Sequence, residues 1–538
     1  MKFAVLSDTH YISRRMLLDT ADKEAFLQTA VSEFAIETAA SRDDIDVILI
    51  TGDLTDEGDI YSHEDFKAYL EKVREKTGKK IYVTTATHDF HHHKAYVRQK
   101  GDTKAQFSSE PWNMPYFDKD NADWHEYLTD ECENLSDSEC MPGLVRACTP
   151  EELWKLYADF GPSDAISVHN DSFCYCVELD DNTRCLMLND NFRNEEAMHD
   201  ISVTYTPDCF RWIKSMIDKA NREGKYIFAC THHPLLPAAP AHRLYQDERN
   251  MRSAYISHTL ADMGLNLFIT GHTHLADVGC VVSDKGNRLY DITVPAARFF
   301  PPRFKVIDLD PMAQTVRYES VDIETPPGYE TEESSLTEHY LKKDYEAYSG
   351  LVKNLKPPLN SMICSLRLKH LYPLVKKAGK ISREEFSPIA ETAFTDYILS
   401  LVFNMFGGDG KFTPDTPEYK FGMGFAAVFD SIIDAQPFYD VRKKLLRGYS
   451  VREIFEPMLF NNSFSDNGGF IDLNKEPVKK YEAADFSSHA GDILVGLITV
   501  TALIISKPAA TGAALAIPVL SVMKKRREEK NPTKPQRY

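Results

Sequence analysis

Five short blocks of Asp and His residues stand out for the chemistry they could do. They are Asp8-Thr9-His10, Gly52-Asp53, Ala86-Thr87-His88-Asp89, Thr231-His232-His233-Pro234 and Gly271-His272-Thr273-His274. Carboxylate oxygen is a hard ligand and imidazole nitrogen a borderline one. Together they suit Mn, Fe, Zn or Co rather than a thiolate-seeking metal. A carboxylate can bridge two cations about 3.5–4 Å apart, and such a pair polarises a phosphate and generates hydroxide near neutral pH. Singly, each block is ordinary: Gly-Asp is a turn, and a lone histidine is more often hydrogen-bonded than metal-bound. Their weight comes from their order and their shared position, each directly after a short apolar run.

Those runs read as buried strands. Lys2–Ser7, Val47–Thr51, Ile81–Thr85, Tyr226–Thr231 and Leu267–Thr270 precede the five blocks in turn. Helical spacing of apolar residues over Ala21–Ser41, His63–Thr77, Thr206–Glu223 and Met251–Met263 supplies the elements between them. Short apolar runs alternating with longer helices predict βαβ units and a parallel sheet. Ligands collect at the carboxyl ends of such strands, so the five loops can meet at one site. Glycines before Asp53 and His272 allow the backbone to turn sharply into the ligands. Phe173–Leu179 and Arg184–Leu188 read as a strand pair, and Asp277–Ser283, Leu289–Val294, Phe304–Leu309 and Thr315–Val321 as shorter strands. The fold class expected is α/β, sheet-rich and sandwich-like.

The 538-residue chain is too long for one ordinary core; roughly 150 residues per domain gives three or four, with two or three equally compatible. Residues 1–325 form the expected α/β domain, interrupted by a polar, aromatic, cap-like insertion at about 90–168. That insertion carries Trp112, Tyr116, Phe117, Trp124 and Tyr127, suited either to stacking on a substrate or to packing a long loop. A Pro-Gly-Glu-rich linker is expected over 326–345, a mostly helical domain over 346–490, and an apolar hairpin-like segment with a basic tail over 491–538. A net charge of −19 argues against a general nucleic-acid coat role, since a phosphate backbone would repel the surface. Ten cysteines without CxxC spacing read as reduced thiols.

The ordered blocks resemble those of the calcineurin-like metallophosphoesterase superfamily, which carries D-x-H, GD, GNH[DE], H and GHxH motifs in this sequence order. The His-His-Pro and Gly-His-Thr-His forms are similar to the branch of cyclic-nucleotide and glycerophosphodiester phosphodiesterases. The resemblance covers about residues 1–310. It implies a four-layer α/β/β/α sandwich and a phosphoesterase using two divalent metal ions, with in-line attack at phosphorus by a metal-bound hydroxide. By the same resemblance Asp8, His10 and His274 would hold the first ion and Asp53 would bridge. His232 and His272 would hold the second. His88 would face the leaving-group oxygen, Asp89 would orient His88, and His233 would sit behind the ligands. A small phosphodiester is the favoured substrate. A phosphomonoesterase, or an attenuated metal-binding scaffold that recruits a partner, is the alternative.

One departure matters. The family places Gly-Asn before its conserved His, and this chain has Ala86-Thr87. Thr87 could ligate weakly, the second site could fill only with substrate, or one metal could suffice. His91 follows in a run of three histidines and is either an extra ligand or a solvated loop residue. Asn189, in Asn189-Asp190-Asn191, is either a substrate contact or a turn residue. Arg298 and Arg303 could grip a phosphate or serve packing, and Asp56 reads as structural.

The chain has no expected export signal, which points to the cytoplasm. Ile493–Val522 is apolar except for Lys507, and Lys524-Lys525-Arg526-Arg527 follows. A hairpin near Lys507-Pro508 would give arms of about 21 Å, short of the ~30 Å hydrocarbon core. The segment 493–527 is therefore expected either at a membrane surface, with its basic tail near anionic lipid, or in an oligomer or domain interface.

Overall fold

A computed structural model of the chain describes residues 1–14, 23–56, 58–89, 148–190, 205–236, 253–353, 364–434, 450–460 and 465–475. His91, most of the cap-like insertion and the whole 493–527 segment lie outside the described residues.

Two sheets carry the fold. The first runs in the order β13-β12-β11-β1-β2-β3 and the second β4-β5-β6-β7-β8-β10-β9. In the first, β1 (Lys2–Leu6), β2 (Val47–Thr51) and β3 (Lys80–Thr84) are parallel. β11 (Arg303–Asp310), β12 (Thr315–Asp322) and β13 (Gly468–Asp472) complete it antiparallel. In the second, β6 (Thr183–Met187), β7 (Tyr226–Cys230), β8 (Leu267–Thr270) and β10 (Arg288–Thr293) are parallel. β4 (Ser167–His169), β5 (Cys174–Asp180) and β9 (Asp277–Val282) flank them antiparallel. β1, β2 and β8 are apolar almost without interruption because both their faces are covered.

Three cores account for that coverage. Between the sheets, Phe3, Val5, Val47 and Leu49 meet Val177, Met187, Phe228 and Leu267. Phe3 stacks on Phe228 with ring centroids 5.4 Å apart. Outside the first sheet, Leu6, Ile48 and Ile50 pack with residues of α1 (Lys23–Ala40) and α2 (Ile60–Thr77), among them Val31, Ala35, Phe66 and Leu70. After the short α3 (Pro150–Leu156), α4 (Pro207–Arg222) and α5 (Ser253–Met263) cover the second sheet through Ile213, Ile217, Ile256 and Leu260. The result is a four-layer α/β/β/α sandwich. Local signals set the helix ends. Asp59 caps α2 by accepting from the Ser62 amide at 2.8 Å, and Gly78 closes it at φ 70°. Thr206 caps α4 with Pro207 in its first turn.

Beyond residue 335 the described chain is mostly helical. α6 (Leu336–Lys353) begins inside the stretch read from sequence as linker. α7 (Leu368–Val375), α8 (Arg383–Phe386), α9 (Phe394–Phe406), α10 (Pro417–Asp434) and α11 (Val451–Leu459) share an aromatic-rich core of Phe386, Phe394, Phe421, Phe425 and Phe455. This region is tied to the sandwich. β13 adds an edge strand to the first sheet, and Arg303 Nη1 donates to the Gly407 carbonyl and to Asn467 Oδ1, both at 3.0 Å. Phe403 of α9 meets Phe300 at 5.6 Å. Among the described residues no helix is long and apolar enough to cross a membrane.

Candidate metal centre

Loops leaving the carboxyl ends of β1, β2, β3, β6, β7, β8 and β10 converge. They carry Asp8 and His10, Asp53, His88, Asp190, His232 and His233, His272 and His274, and Phe299 respectively. The backbone is strained where the expected ligands sit. Asp8 (φ 53°), His10 (42°), Asp53 (47°), His272 (69°) and His274 (59°) all occupy the left-handed region. Such a conformation costs a side-chain-bearing residue about 1–3 kcal/mol and persists only where the surroundings enforce it. Here the loops enforce one another. The Asp8 amide donates to the Gly52 carbonyl at 3.1 Å and the His10 amide to the Asp53 carbonyl at 3.0 Å.

Two glycines make room. A Cβ on Gly52 (φ 94°) would lie 2.6 Å from Ala86 Cβ and 2.8 Å from His232 Nδ1. A Cβ on Gly271 would lie 1.8 Å from Ser7 Oγ and 2.8 Å from Asp8 Oδ2. At Gly271 the need is close approach rather than an unusual φ.

Each carboxylate is held by one oxygen and aimed by the other. Asp8 Oδ2 accepts from Ser7 Oγ at 2.5 Å and from the His272 amide at 3.0 Å. Its Oδ1 faces Nε2 of His274 at 3.3 Å and of His10 at 3.8 Å. Asp53 Oδ1 accepts from the His88 amide at 2.9 Å, while Oδ2 lies 3.1 Å from His232 Nε2 and 3.8 Å from His10 Nε2. His232 Nδ1 donates to the Thr51 carbonyl at 2.8 Å, which turns Nε2 toward the cluster, 3.2 Å from His272 Nδ1. Asp8 Oδ1 and His10 Nε2 are buried and have no hydrogen-bond partner among the described residues.

This donor set fits a divalent cation. Ligands about 2.0–2.1 Å from one ion stand about 3.0–3.4 Å apart. The Asp53–His232, His232–His272 and Asp8–His274 donor pairs, at 3.1, 3.2 and 3.3 Å, have that spacing. Asp8, His10 and His274 form one group of converging donors, and Asp8, Asp53 and His232 another.

The electrostatics call for positive charge. Burial alone would push Asp8 and Asp53 up, but neighbouring imidazoles, His274 and His232 for Asp8, His232 and His88 for Asp53, hold both well below the carboxylate range. Conversely, burial opposes the charged form of His10 and His232. The carboxylates overcome it, led by Asp56 for His10 and Asp53 for His232, and raise them to about 9 and about 10.

Other expected residues take different places. His88 turns its Nδ1 to the Asp56 carbonyl at 2.6 Å, and its ring lies 4.6 Å from that of His10. Asp89 does not orient it. The Asp89 carboxylate accepts from the amides of Thr55 at 2.9 Å and Ala86 at 2.7 Å, fixing the two loops together. Residues 87–89 form one 3₁₀ turn, in which neighbouring side chains diverge by about 120°. Thr87, the first residue of this turn, is buried. Asn189 is buried and donates from Nδ2 to Thr85 Oγ1 at 2.9 Å, linking the ends of the two sheets. His233 donates from Nδ1 to Asp190 at 2.9 Å.

Three residues support the cluster through contacts that the sequence does not show; Asp56 reads there as structural, Arg298 as a phosphate or packing residue, and Phe299 has no role. Asp56 Oδ1 lies 3.2 Å from His10 Nδ1 and accepts from Arg298 Nη2 at 3.0 Å. Arg298 also donates to the His10 carbonyl, so its guanidinium braces His10. Phe299 stacks on His274 at 4.6 Å and meets His10 edge-on at 5.1 Å. An Asp three residues after Asp53 and an Arg-Phe pair far downstream carry no local mark of these contacts.

Residues 1–276 match the calcineurin-like phosphoesterase family, and the chain belongs to it. It is a metal-dependent phosphoric ester hydrolase, and the family implies divalent metal ions at the Asp and His cluster. No curated protein matches the chain in sequence. Among solved structures it is similar to a dimetal phosphatase from Danio rerio, at 13% identity over 60% of this chain and 99% of that one, with a TM-score of 0.35. It is also similar to a provisionally named 5′-nucleotidase from Staphylococcus aureus, solved with alpha-ketoglutarate. There the identity is 13% over 70% of this chain and 66% of that one, with a TM-score of 0.31.

The raised histidines yield a prediction for metal-free protein. Protonation of His10 and His232 stabilises the fold fully below their unfolded value of 6.5 and is lost as pH rises through about 9 and about 10. The melting temperature of metal-free protein should therefore fall between pH 6.5 and 10, and saturating divalent metal should flatten that fall. A metal-free melting temperature that stays level across this window would contradict the charge balance described.

Proposed function

We propose that the chain hydrolyses a small phosphodiester. The observation that supports a diester is the supply of side-chain cations. A monoester dianion carries an extra charge that a site commonly meets with a bidentate arginine. Among the described residues, the guanidinium beside the cluster is that of Arg298, which is buried and committed to Asp56 and the His10 carbonyl. A diester monoanion needs no such partner. The His-His-Pro form of the loop after β7 agrees with this reading.

In it, Asp8, His10 and His274 would hold one ion, Asp53 would lie between, and His232 and His272 would hold a second. Divalent ions there supply Lewis-acid stabilisation of charge at phosphorus and activation of water near neutral pH. The protein's own residues do the rest. Asp53 and Asp8, each pinned through one oxygen, keep the other oxygen fixed. Asp56 and Arg298 hold the His10 ring and backbone. Phe299 holds the plane of His274. His88, anchored through Nδ1, presents Nε2 to the leaving oxygen. Burial lowers its pKa, so its proton-donating form is lost at lower pH than that of an ordinary imidazole. Asp89 acts as a brace between loops.

Turnover of bis(p-nitrophenyl) phosphate should exceed that of p-nitrophenyl phosphate in kcat/KM, with the same metal and pH. Faster monoester turnover would replace this reading with a phosphomonoesterase. A second test isolates His88, since general acid catalysis contributes about 10²–10⁴-fold. His88→Asn should lose about that factor on diesters with alkyl leaving groups and far less on nitrophenyl esters. Equal losses on both would remove the acid role.

A further inference from the structure

The described part of the cluster contains a further convergent group, in which the ligand assignment above leaves His233 unused. Donor atoms of His232, His233 and His272 lie within 4.8 Å of one another. The His233 ring sits 4.2 Å from that of His272 and 4.9 Å from that of His232. Asp190 fixes it twice. Asp190 Oδ1 takes the Nδ1 proton at 2.9 Å, and Oδ2 accepts from the His233 amide at 3.0 Å. Both side chains are buried.

His233 gives Nδ1 to a carboxylate and sets its ring against two other imidazoles. Carboxylate, imidazole and then cation is the arrangement that orients a metal-bound histidine and raises its basicity. With Nδ1 taken by Asp190, a cation would be met by Nε2.

We propose that His233 is a direct ligand of the second ion, which is held by three imidazoles, His232, His233 and His272, with Asp53 shared, and that this position prefers a borderline ion such as Zn²⁺ or Co²⁺. The inference rests on reading the cluster as the metal centre of a phosphoesterase. It separates the two positions by chemistry. Asp8, His10, His274 and Asp53 offer two carboxylates and two imidazoles. The second position offers three imidazoles and one carboxylate, a set poorly suited to Mg²⁺ or Ca²⁺. A third imidazole also removes the need for a donor at Thr87. Sequence reading placed His233 behind the ligands because its neighbour His232 already fills the expected ligand position; the Asp190 contact could not be seen there.

The test is a Co²⁺ titration of full-length protein stripped of metal, followed by visible absorption and by calorimetry. Wild type should bind two equivalents in two steps with distinct spectra. His233→Ala should bind one equivalent tightly, with the second step and its spectrum lost. Asp190→Asn should retain both steps, with the second weakened about 10–100-fold. If His233→Ala does not fold, His233→Gln carries the same readout, because its amide still reaches Asp190. A variant that keeps both steps and both spectra overturns the ligand assignment while the phosphoesterase reading stands. Wild-type protein that binds no Co²⁺ overturns both.

Discussion

Two buried carboxylates, Asp8 and Asp53, set the terms for the rest of the structure. An anion in a dry interior costs several kcal/mol unless it is paired and hydrogen-bonded. Each meets that cost in two parts. One oxygen is held by local donors: Ser7 and the His272 amide for Asp8, the His88 amide for Asp53. The other faces imidazoles. The site is therefore built to gather positive charge, and its loops are shaped around that need.

The shape explains the strain. A cluster at the ends of parallel strands must turn each chain back at once, and five of its Asp and His positions take a left-handed backbone to do so. The price falls on local stability and is offset by hydrogen bonds between loops and by the cores beneath. Asp89 ties the loop after β3 to Thr55, and Asp56 with Arg298 ties the loop after β2 to His10. The C-terminal region joins this support indirectly. Phe403 packs on Phe300, next to the Phe299 ring that flanks His274.

Much of the sandwich is legible in the sequence because several of its parallel strands are short apolar runs and the expected ligands follow them directly. The five blocks, and the glycines at 52 and 271, stand where chain order alone places them. What escapes is of two kinds. β4 and β13 are short edge elements, and Gly468–Asp472 lacks the apolar alternation that marks a strand. Contacts across sequence distance are the other. Asp56 with Arg298, and Phe299 with His274, join residues that no local pattern links. Adjacency misleads in the opposite sense at His88 and Asp89, where a 3₁₀ turn sends two neighbouring side chains to different partners.

The central claim is that this cluster is a divalent-metal centre. Elemental analysis of protein purified without chelator, dialysed exhaustively and counted per chain, tests it most directly. The account predicts close to two equivalents of a transition metal, falling when Asp53 is replaced by Ala. Wild-type protein that retains no divalent ion, and takes up none when Mn²⁺, Co²⁺ or Zn²⁺ is supplied, would contradict it.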